Sequence, residues 1–312
     1  MKKLSGEFLS NVLAALGQAN ESVLPTENIS GLLRRTLKGK DPYVELLLPP
    51  EEQSTTMPAA RFATFDGQSL ERLNAMLPWC SFGSVGDGAF LGTAWSQGKR
   101  NEAEPFPDLR VEVLHRRIDL TGMSALELGC FEGHHSLSLA EHCPVVWGID
   151  GRIENVIKTL VRIWMAGAED RVKVNLIDLE HGTLKQQLSS LGRDQPFDLV
   201  HHRGVLYHLS DPIGNLIQCR DVCAKHLYLH TQIADERQVD TQLTHGGRQY
   251  AAHAYTEPLH RNSPFAGLTP VAHWLTQASL TQVLMDIGFP NVEVIKLVEE
   301  RNGWRIELIA TR

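Results

Sequence analysis

The sequence predicts an α/β fold in which helices cover both faces of a largely parallel sheet, and three observations support this. From about Val111 onward, apolar strand-like runs alternate with helical patterns, which is typical of βαβ units. A turn with two glycines follows the first of these runs, within 124–135. Asp150 ends the next run, about 20 residues after the turn, as in folds that bind nucleotide-type ligands at the carboxyl ends of their strands.

The composition is that of an ordinary soluble globular protein. The chain has 312 residues, of which 42% are hydrophobic and 21% charged, enough for one large or two modest domains. A net charge of −7 gives no overall attraction to nucleic acid or to anionic membranes. Five scattered cysteines indicate reduced thiols, and no apolar run is long enough to span a membrane. We therefore expect a cytoplasmic protein.

Residues 1–110 lack the βαβ rhythm and are predicted to form an accessory region. Helices are expected near 7–19, 30–37 and 69–77, a strand at 43–48, and turns or a hairpin over 82–95, where glycines recur. A basic run at 34–40 is suited to contacting phosphates, but it fits the charged end of a helix better.

The main domain is predicted to occupy 111–312. Its strands are placed at 125–129, 145–149, 172–177, 197–202 and 225–230, with helices near 134–142, 152–166, 183–191 and 211–223. The polar stretch 231–270 is too long for an ordinary connection and is predicted to be a lid or a binding insertion. A helix at 278–287 and two strands, 292–297 and 304–310, end the domain.

The turn after the first strand favours one class of ligand. A dinucleotide fingerprint has three glycines that seat a pyrophosphate, but Phe131 takes the middle position here. Glu127 and Glu132 flank the turn, so we expect its negative rim to repel a diphosphate. The same rim would attract the ammonium and sulfonium groups of S-adenosylmethionine (SAM). The sequence therefore predicts SAM rather than NAD.

Residues 111–312 accordingly resemble the class I SAM-dependent methyltransferases. The resemblance implies a Rossmann-like, seven-stranded sheet whose last strand is antiparallel, with the glycine turn around the methionine part of SAM. It also implies that Asp150 binds the ribose and that Asp178 with Leu179 binds the adenine edge. The residues expected at the cofactor are Glu127, Gly129, Cys130, Phe131, Gly133, Asp150, Gly151, Asp178, Leu179 and His202.

Part of the chain is similar to a narrower group, the tRNA wobble-uridine carboxymethyltransferases. The similarity is carried by Gly-Val-Leu-Tyr-His at 204–208, Asp-Pro at 211–212, Leu-Pro-Trp at 77–79 and Trp95. Those enzymes use carboxy-SAM and hold its extra carboxylate partly with a lysine just after the Pro-Trp pair. Cys80 follows Trp79 here. Because a buried carboxylate without a partner is costly, the missing lysine favours ordinary SAM.

Two residues after the fourth strand are predicted to serve the transfer itself. Methyl transfer is an in-line displacement that needs a base only when the acceptor must lose a proton. Histidine is suited to that role near neutral pH, so His208 is the predicted base and Tyr207 a wall of the pocket. Predicted acceptor contacts are Trp95, Arg203, His230, Arg248, Tyr250 and Tyr255. The histidines of 231–270 lack metal-ligand spacing, so no metal site is predicted.

The function predicted from these residues is transfer of the SAM methyl group to an oxygen, nitrogen or carbon of a small-molecule acceptor. One alternative is a tRNA-modifying (carboxy)methyltransferase, which would need a continuous basic face reaching the pocket. Another is a non-catalytic SAM-binding subunit, which would have no room beside the methyl group.

Overall fold

The computed structural model describes residues 67–77, 79–86, 89–92, 103–257, 263–300 and 302–312. The helices within these ranges are α1 Gly67–Met76, α2 Leu109–Ile118, α3 His134–Leu139, α4 Ile153–Ala166, α5 Leu184–Ser190, α6 Pro212–Val222 and α7 Gln277–Asp286. The strands are β1 Gly83–Gly86, β2 Ala89–Leu91, β3 Ser124–Leu128, β4 Val145–Asp150, β5 Val172–Leu176, β6 Phe197–Arg203, β7 Cys223–Ile233, β8 Thr241–His245, β9 Arg248–Thr256, β10 Val271–Leu275, β11 Asn291–Glu300 and β12 Gly303–Thr311. The elements predicted before residue 67, the basic run at 34–40 and Trp95 lie outside the described residues.

Seven strands form the main sheet, in the order β11-β12-β7-β6-β3-β4-β5. The neighbouring strands β7, β6, β3, β4 and β5 run parallel to one another, whereas β12 is antiparallel to both of its neighbours. From β3 the chain continues to β4 and β5 on one side of β3, and it then crosses to β6 and β7 on the other side. The order of the strands therefore reverses between β3 and β6. Ligands of open α/β sheets bind at such a switch point, outside the carboxyl ends of the strands. The predicted Rossmann-like, seven-stranded sheet is confirmed.

Each face of this sheet is covered by its own apolar core. Leu126 and Leu128 of β3 point to the core that includes residues of α5, α6 and α7. Ala125 points to the opposite core, which includes residues of α2, α3 and α4. Because side chains alternate along a strand, Glu127 shares the face of Ala125. We name the face of the sheet that packs on α2, α3 and α4 the α2 face. Toward the carboxyl ends of the strands, this face therefore changes from apolar to polar.

The stretch predicted as a long polar loop is largely a second sheet. The strands β8, β9 and β10 pair antiparallel in the order β10-β9-β8. Gly246 and Gly247 join β8 to β9 with φ angles of 57° and 79°, which a two-residue hairpin turn of this hand requires. Tyr250 and Ala252 of β9 are buried against the main core. The insertion is thus an ordered antiparallel layer packed on the sheet.

A short part of the N-terminal region docks next to the glycine turn. The backbone N–H groups of Cys80 and Ser81 each donate to the carboxylate of Glu132 at 2.7 Å. Lys158 of α4 donates to the same carboxylate at 2.8 Å, and the ring of Trp79 lies 5.4 Å from the Arg162 guanidinium. Glu132 therefore joins the accessory region to both the turn and α4.

We find no helix in the described ranges with the length and apolarity that membrane crossing requires.

Candidate active site

The turn after β3 is held in an unusual backbone conformation. Gly129, Phe131 and Gly133 have φ angles of 67°, 53° and 79°, in the left-handed region that side chains other than glycine rarely adopt. A Cβ at Gly129 would lie 2.3 Å from a methyl carbon of Val205, and one at Gly133 would lie 2.6 Å from a methyl carbon of Thr159. Both glycines are therefore required by conformation and by space.

Asp150, at the end of β4, faces this turn. One carboxylate oxygen accepts from the backbone N–H of Phe131 at 3.0 Å, and the other accepts from the Arg152 N–H at 2.8 Å and the Asn155 amide at 3.1 Å. Burial raises the pKa of Asp150, although the backbone hydrogen bonds oppose that shift. A carboxylate has about four acceptor positions, so one is left for a ribose hydroxyl. The residue fits the role that the sequence predicts.

The two glutamates beside the turn do not form the expected negative rim. Glu132 is only 1% exposed and is neutralised by Lys158. Glu127 is buried and accepts a hydrogen bond from the Ser136 hydroxyl. Its burial raises its pKa to about 8, so the group is largely protonated at neutral pH. The electrostatic argument was wrong in this respect, and the prediction of a SAM cradle is left with Asp150 and the turn backbone.

Other residues predicted at the cofactor meet at the ends of β4 and β5. A Cβ at Gly151 would lie 3.5 Å from the Cα of Asp178. The carboxylate of Asp178 accepts from the Glu180 N–H at 3.0 Å, while Leu179 packs against the apolar core. Cys130 is buried, with its sulfur 3.7 Å from the Thr159 hydroxyl. Their contacts with an adenine stay a prediction.

The two histidines at the end of β6 face opposite sides of the sheet. His202 is fully buried, and its Nε2 lies 2.8 Å from the Asn215 side-chain oxygen on α6. Burial lowers its pKa to about 4. This corrects the prediction that His202 binds the cofactor, because the residue packs beneath a helix. His201 lies on the α2 face, where its ring stacks on Tyr228 with centroids 5.0 Å apart.

Tyr207 and His208 lie in a short turn immediately after β6. His208 Nδ1 is 2.5 Å from a carboxylate oxygen of Glu257, which is 4% exposed. The Tyr207 ring packs on the His208 ring at 4.1 Å, and the Arg305 guanidinium lies 5.0 Å from the tyrosine ring. A carboxylate on Nδ1 orients the imidazole and directs proton exchange to Nε2. Glu257, 49 residues along the chain, had no local signal in the sequence.

Two of the predicted acceptor contacts lie side by side. Arg203 of β6 is in register with His230 of β7, and its guanidinium donates to the Tyr228 hydroxyl at 2.7 Å. Burial lowers the pKa of His230 well below its usual value, and the positive charges of Arg203 and Arg305 lower it further. These residues form a polar, cation-rich layer on the α2 face.

The remaining acceptor predictions fall elsewhere. Arg248 and Tyr250 both bond to Asp286 of α7, at 2.7 Å and 2.6 Å, so they fasten β9 to that helix instead of joining Arg203. Tyr255 stacks on Trp274 at 4.3 Å, and this indole donates to the Tyr207 backbone oxygen. Tyr255 therefore packs on the indole that bonds to the turn of Tyr207 and His208.

The segment 263–270 lies across the cofactor turn. The Arg152 guanidinium donates to the backbone oxygen of Ala266 at 2.8 Å. The ring of Phe265 packs on that of Phe131 with centroids 5.5 Å apart. The segment thus covers the ends of β3 and β4.

The same segment reaches the turn that holds Tyr207 and His208. A Cβ at Gly267 would lie 2.6 Å from the backbone oxygen of His208, and Leu268 comes within 2.6 Å of the Cβ position of Gly151. One short piece of chain therefore touches both halves of the site, and its predicted role as part of a lid stays a prediction.

Comparison with known proteins identifies the family. Residues 100–294 match the model of a family described as a methyltransferase domain. The chain therefore belongs to the methyltransferase domain family. The match covers the glycine turn, the turn that holds Tyr207 and His208, and the insertion. The prediction of a class I SAM-dependent methyltransferase is confirmed.

The individual proteins that resemble this chain are only distantly similar to it in sequence. The chain is similar to the N-terminal domain of EvdMO1, solved with S-adenosylhomocysteine (SAH) and D-fucose, with a TM-score of 0.64 and 24% identity over 81% of this chain and 99% of that one. Full-length EvdMO1 aligns with a TM-score of 0.55 and 22% identity over 79% of this chain and 48% of that one. A ubiquinone biosynthesis O-methyltransferase of Xanthomonas euvesicatoria pv. vesicatoria is 24% identical over 196 residues, covering 62% of this chain and 77% of the relative.

Proposed function

We propose that this methyltransferase transfers the methyl group of SAM to a hydroxyl oxygen of a small molecule. The observation that carries the proposal is the His208 imidazole, held by Glu257 at 2.5 Å in the turn after β6. A hydroxyl acceptor must lose its proton as the new bond forms, so a positioned base assists the reaction. A neutral amine acceptor can attack before it loses a proton.

The relatives support the same class of acceptor. The domain of EvdMO1 was solved with SAH and D-fucose, and the Xanthomonas relative is named as an O-methyltransferase. Both point to SAM chemistry on a small molecule, and the second points to oxygen.

The chain's own residues supply binding, alignment and a proton acceptor. Asp150 offers its remaining acceptor position to the ribose, and the turn at 129–133 shapes the backbone around the methionine part. Alignment of the acceptor oxygen with the methyl group and sulfur supplies most of the rate increase in such a displacement. His208 then takes the hydroxyl proton, while Glu257 holds the imidazole in place.

The test is transfer of labelled methyl from SAM to a panel of small hydroxylated compounds, with amine-only compounds and tRNA as comparisons. We expect label in hydroxylated acceptors and a fall in kcat of about 10²- to 10⁴-fold for His208→Gln, with little change in the KM for SAM. Glu257→Gln should give a smaller fall in kcat.

Two results would reject parts of this proposal. Label found only in amines or only in tRNA would contradict a small-molecule hydroxyl acceptor. An unchanged kcat for His208→Gln on a hydroxylated acceptor would remove His208 as the base. A His245→Gln variant is the control, because that imidazole is exposed at the end of β8 and is not among the predicted site residues.

A further inference from the structure

We propose that Glu127, His135 and His201 bind a divalent transition-metal ion at the base of the polar layer on the α2 face. One donor atom from each residue lies within 4.8 Å of the other two. The residues come from the end of β3, the start of α3 and the end of β6. Two imidazoles and one carboxylate form a donor set that Zn²⁺ and related ions accept. The proposal does not depend on the identity of the methyl acceptor.

His201 is a buried member of this cluster, and one of its ring nitrogens makes no hydrogen bond. The residue is 1% exposed, and its Nδ1 has no hydrogen-bond partner among the described residues. The ring is fixed by stacking on Tyr228 at 5.0 Å and by an edge contact with His135 at 5.3 Å. Buried polar atoms nearly always have a partner, so an imidazole held this way in a cluster of donors indicates a ligand.

The groups around the cluster have the arrangement of an outer shell of a metal site. One oxygen of Glu127 accepts from the Ser136 hydroxyl, and the other lies 3.9 Å from His135 Nδ1. The opposite nitrogen of His135 lies 3.4 Å from a carboxylate oxygen of Asp108. A carboxylate behind a metal-binding histidine orients its ring and makes it a better ligand. Asp108 therefore leaves His135 Nδ1 facing Glu127.

No lysine or arginine forms an ion pair with Glu127 in the part of the chain that is described. Two arginines whose charges act on His135 have other partners. Arg110 donates to Asp108 at 2.8 Å, and Arg203 donates to the Tyr228 hydroxyl. A metal ion would therefore pair with Glu127 without displacing a lysine or arginine.

The cluster needs only a small contraction to reach coordination distances. Ligand atoms at about 2.0 to 2.2 Å from a tetrahedral ion lie about 3.4 Å from one another, compared with at most 4.8 Å here. Side-chain movements of about 1 Å therefore suffice. Three protein ligands leave a fourth position for a water or for an oxygen of the acceptor.

The experiment uses the full chain after treatment with a chelator and removal of that chelator. Titration with Zn²⁺ is followed by calorimetry, and titration with Co²⁺ by visible absorption, which reports the ligand geometry. We expect one ion per chain and a tenfold or greater loss of Zn²⁺ affinity in His201→Gln and Glu127→Gln. His226→Gln is the control, because that half-buried histidine of β7 bonds to Thr311 away from the cluster.

The outcomes separate this inference from the proposed function. No Zn²⁺ binding by the wild-type chain, or equal affinity in wild type and His201→Gln, would overturn the metal site. His135→Gln, whose side chain is 12% exposed, gives a second reading if His201→Gln does not fold. SAH binding is measured on the same metal-free samples, so that lost cofactor binding is recognised independently of the metal result.

Discussion

At the scale of single residues, Glu132 shows how a charge beside a ligand turn can have a purely structural partner. It accepts three hydrogen bonds from Cys80 and Ser81 and one from Lys158. Both it and Lys158 are almost fully buried, with exposures of 1% and 5%. A buried ion pair adds little net stability when it is complete, but losing one partner leaves an uncompensated charge.

We therefore expect Glu132→Gln to lower the free energy of unfolding by about 3 to 5 kcal/mol, measured by urea titration. The Glu132→Gln/Lys158→Met double variant should recover part of that loss, because the unpaired Lys158 charge is removed as well. Glu293→Gln is the control: its ion pair with Arg117 is exposed and should contribute less than about 1 kcal/mol. Equal losses for Glu132→Gln and Glu293→Gln would show that the buried pair does not anchor the accessory region.

At the scale of elements, the segment 263–270 links the glycine turn to the turn that holds Tyr207 and His208. The Arg152 guanidinium bonds to two of its backbone oxygens, those of Ala266 and Gly267, at 2.8 Å and 3.3 Å. A cofactor bound against Gly151 has to share that space with Leu268. We propose that the segment acts as part of the predicted lid, so that its opening controls entry to the site.

Removing the Arg152 side chain should make this segment open more often. Hydrogen bonds from a charged donor contribute about 1.5 to 3 kcal/mol, so Arg152→Gln is expected to speed amide hydrogen exchange in 263–270 by about tenfold or more. Arg237→Gln is the control, since its ion pair with Asp235 is on the surface. Unchanged exchange in 263–270 of Arg152→Gln would show that the guanidinium does not hold the segment.

Local sequence patterns predicted most of the main sheet but only part of its surroundings. The strands β3, β4, β6 and β7 are apolar runs whose signal is local, and the structure places each within a few residues of the prediction. Helix α2 was missed because its sequence is rich in charge, although Asp108 caps it. The strands β8 to β10 depend on pairing with one another, which a polar sequence does not reveal.

The residues of the candidate site also divide into those with a local signal in the sequence and those without one. Asp150 and the glycine turn follow from spacing along the chain, so they could be predicted. Glu257 meets His208 only because the insertion that contains β9 and β10 packs against the turn after β6, and Glu127 meets His201 only across two parallel strands. Such contacts are set by the fold as a whole. The Glu132 charge was misjudged because its partner Lys158 lies 26 residues away.

At the scale of the whole molecule, we expect the switch point of this sheet to bind SAM, with Asp150 as the main polar anchor. Calorimetric titration of the full chain with SAH, and separately with NAD, tests it most directly, using wild type, Asp150→Ala and the exposed-site control Asp194→Ala. We expect SAH but not NAD to bind wild type and the control, and the affinity of Asp150→Ala for SAH to fall about 10- to 100-fold. Binding of NAD in place of SAH, or equal SAH affinity in wild type and Asp150→Ala, would contradict it.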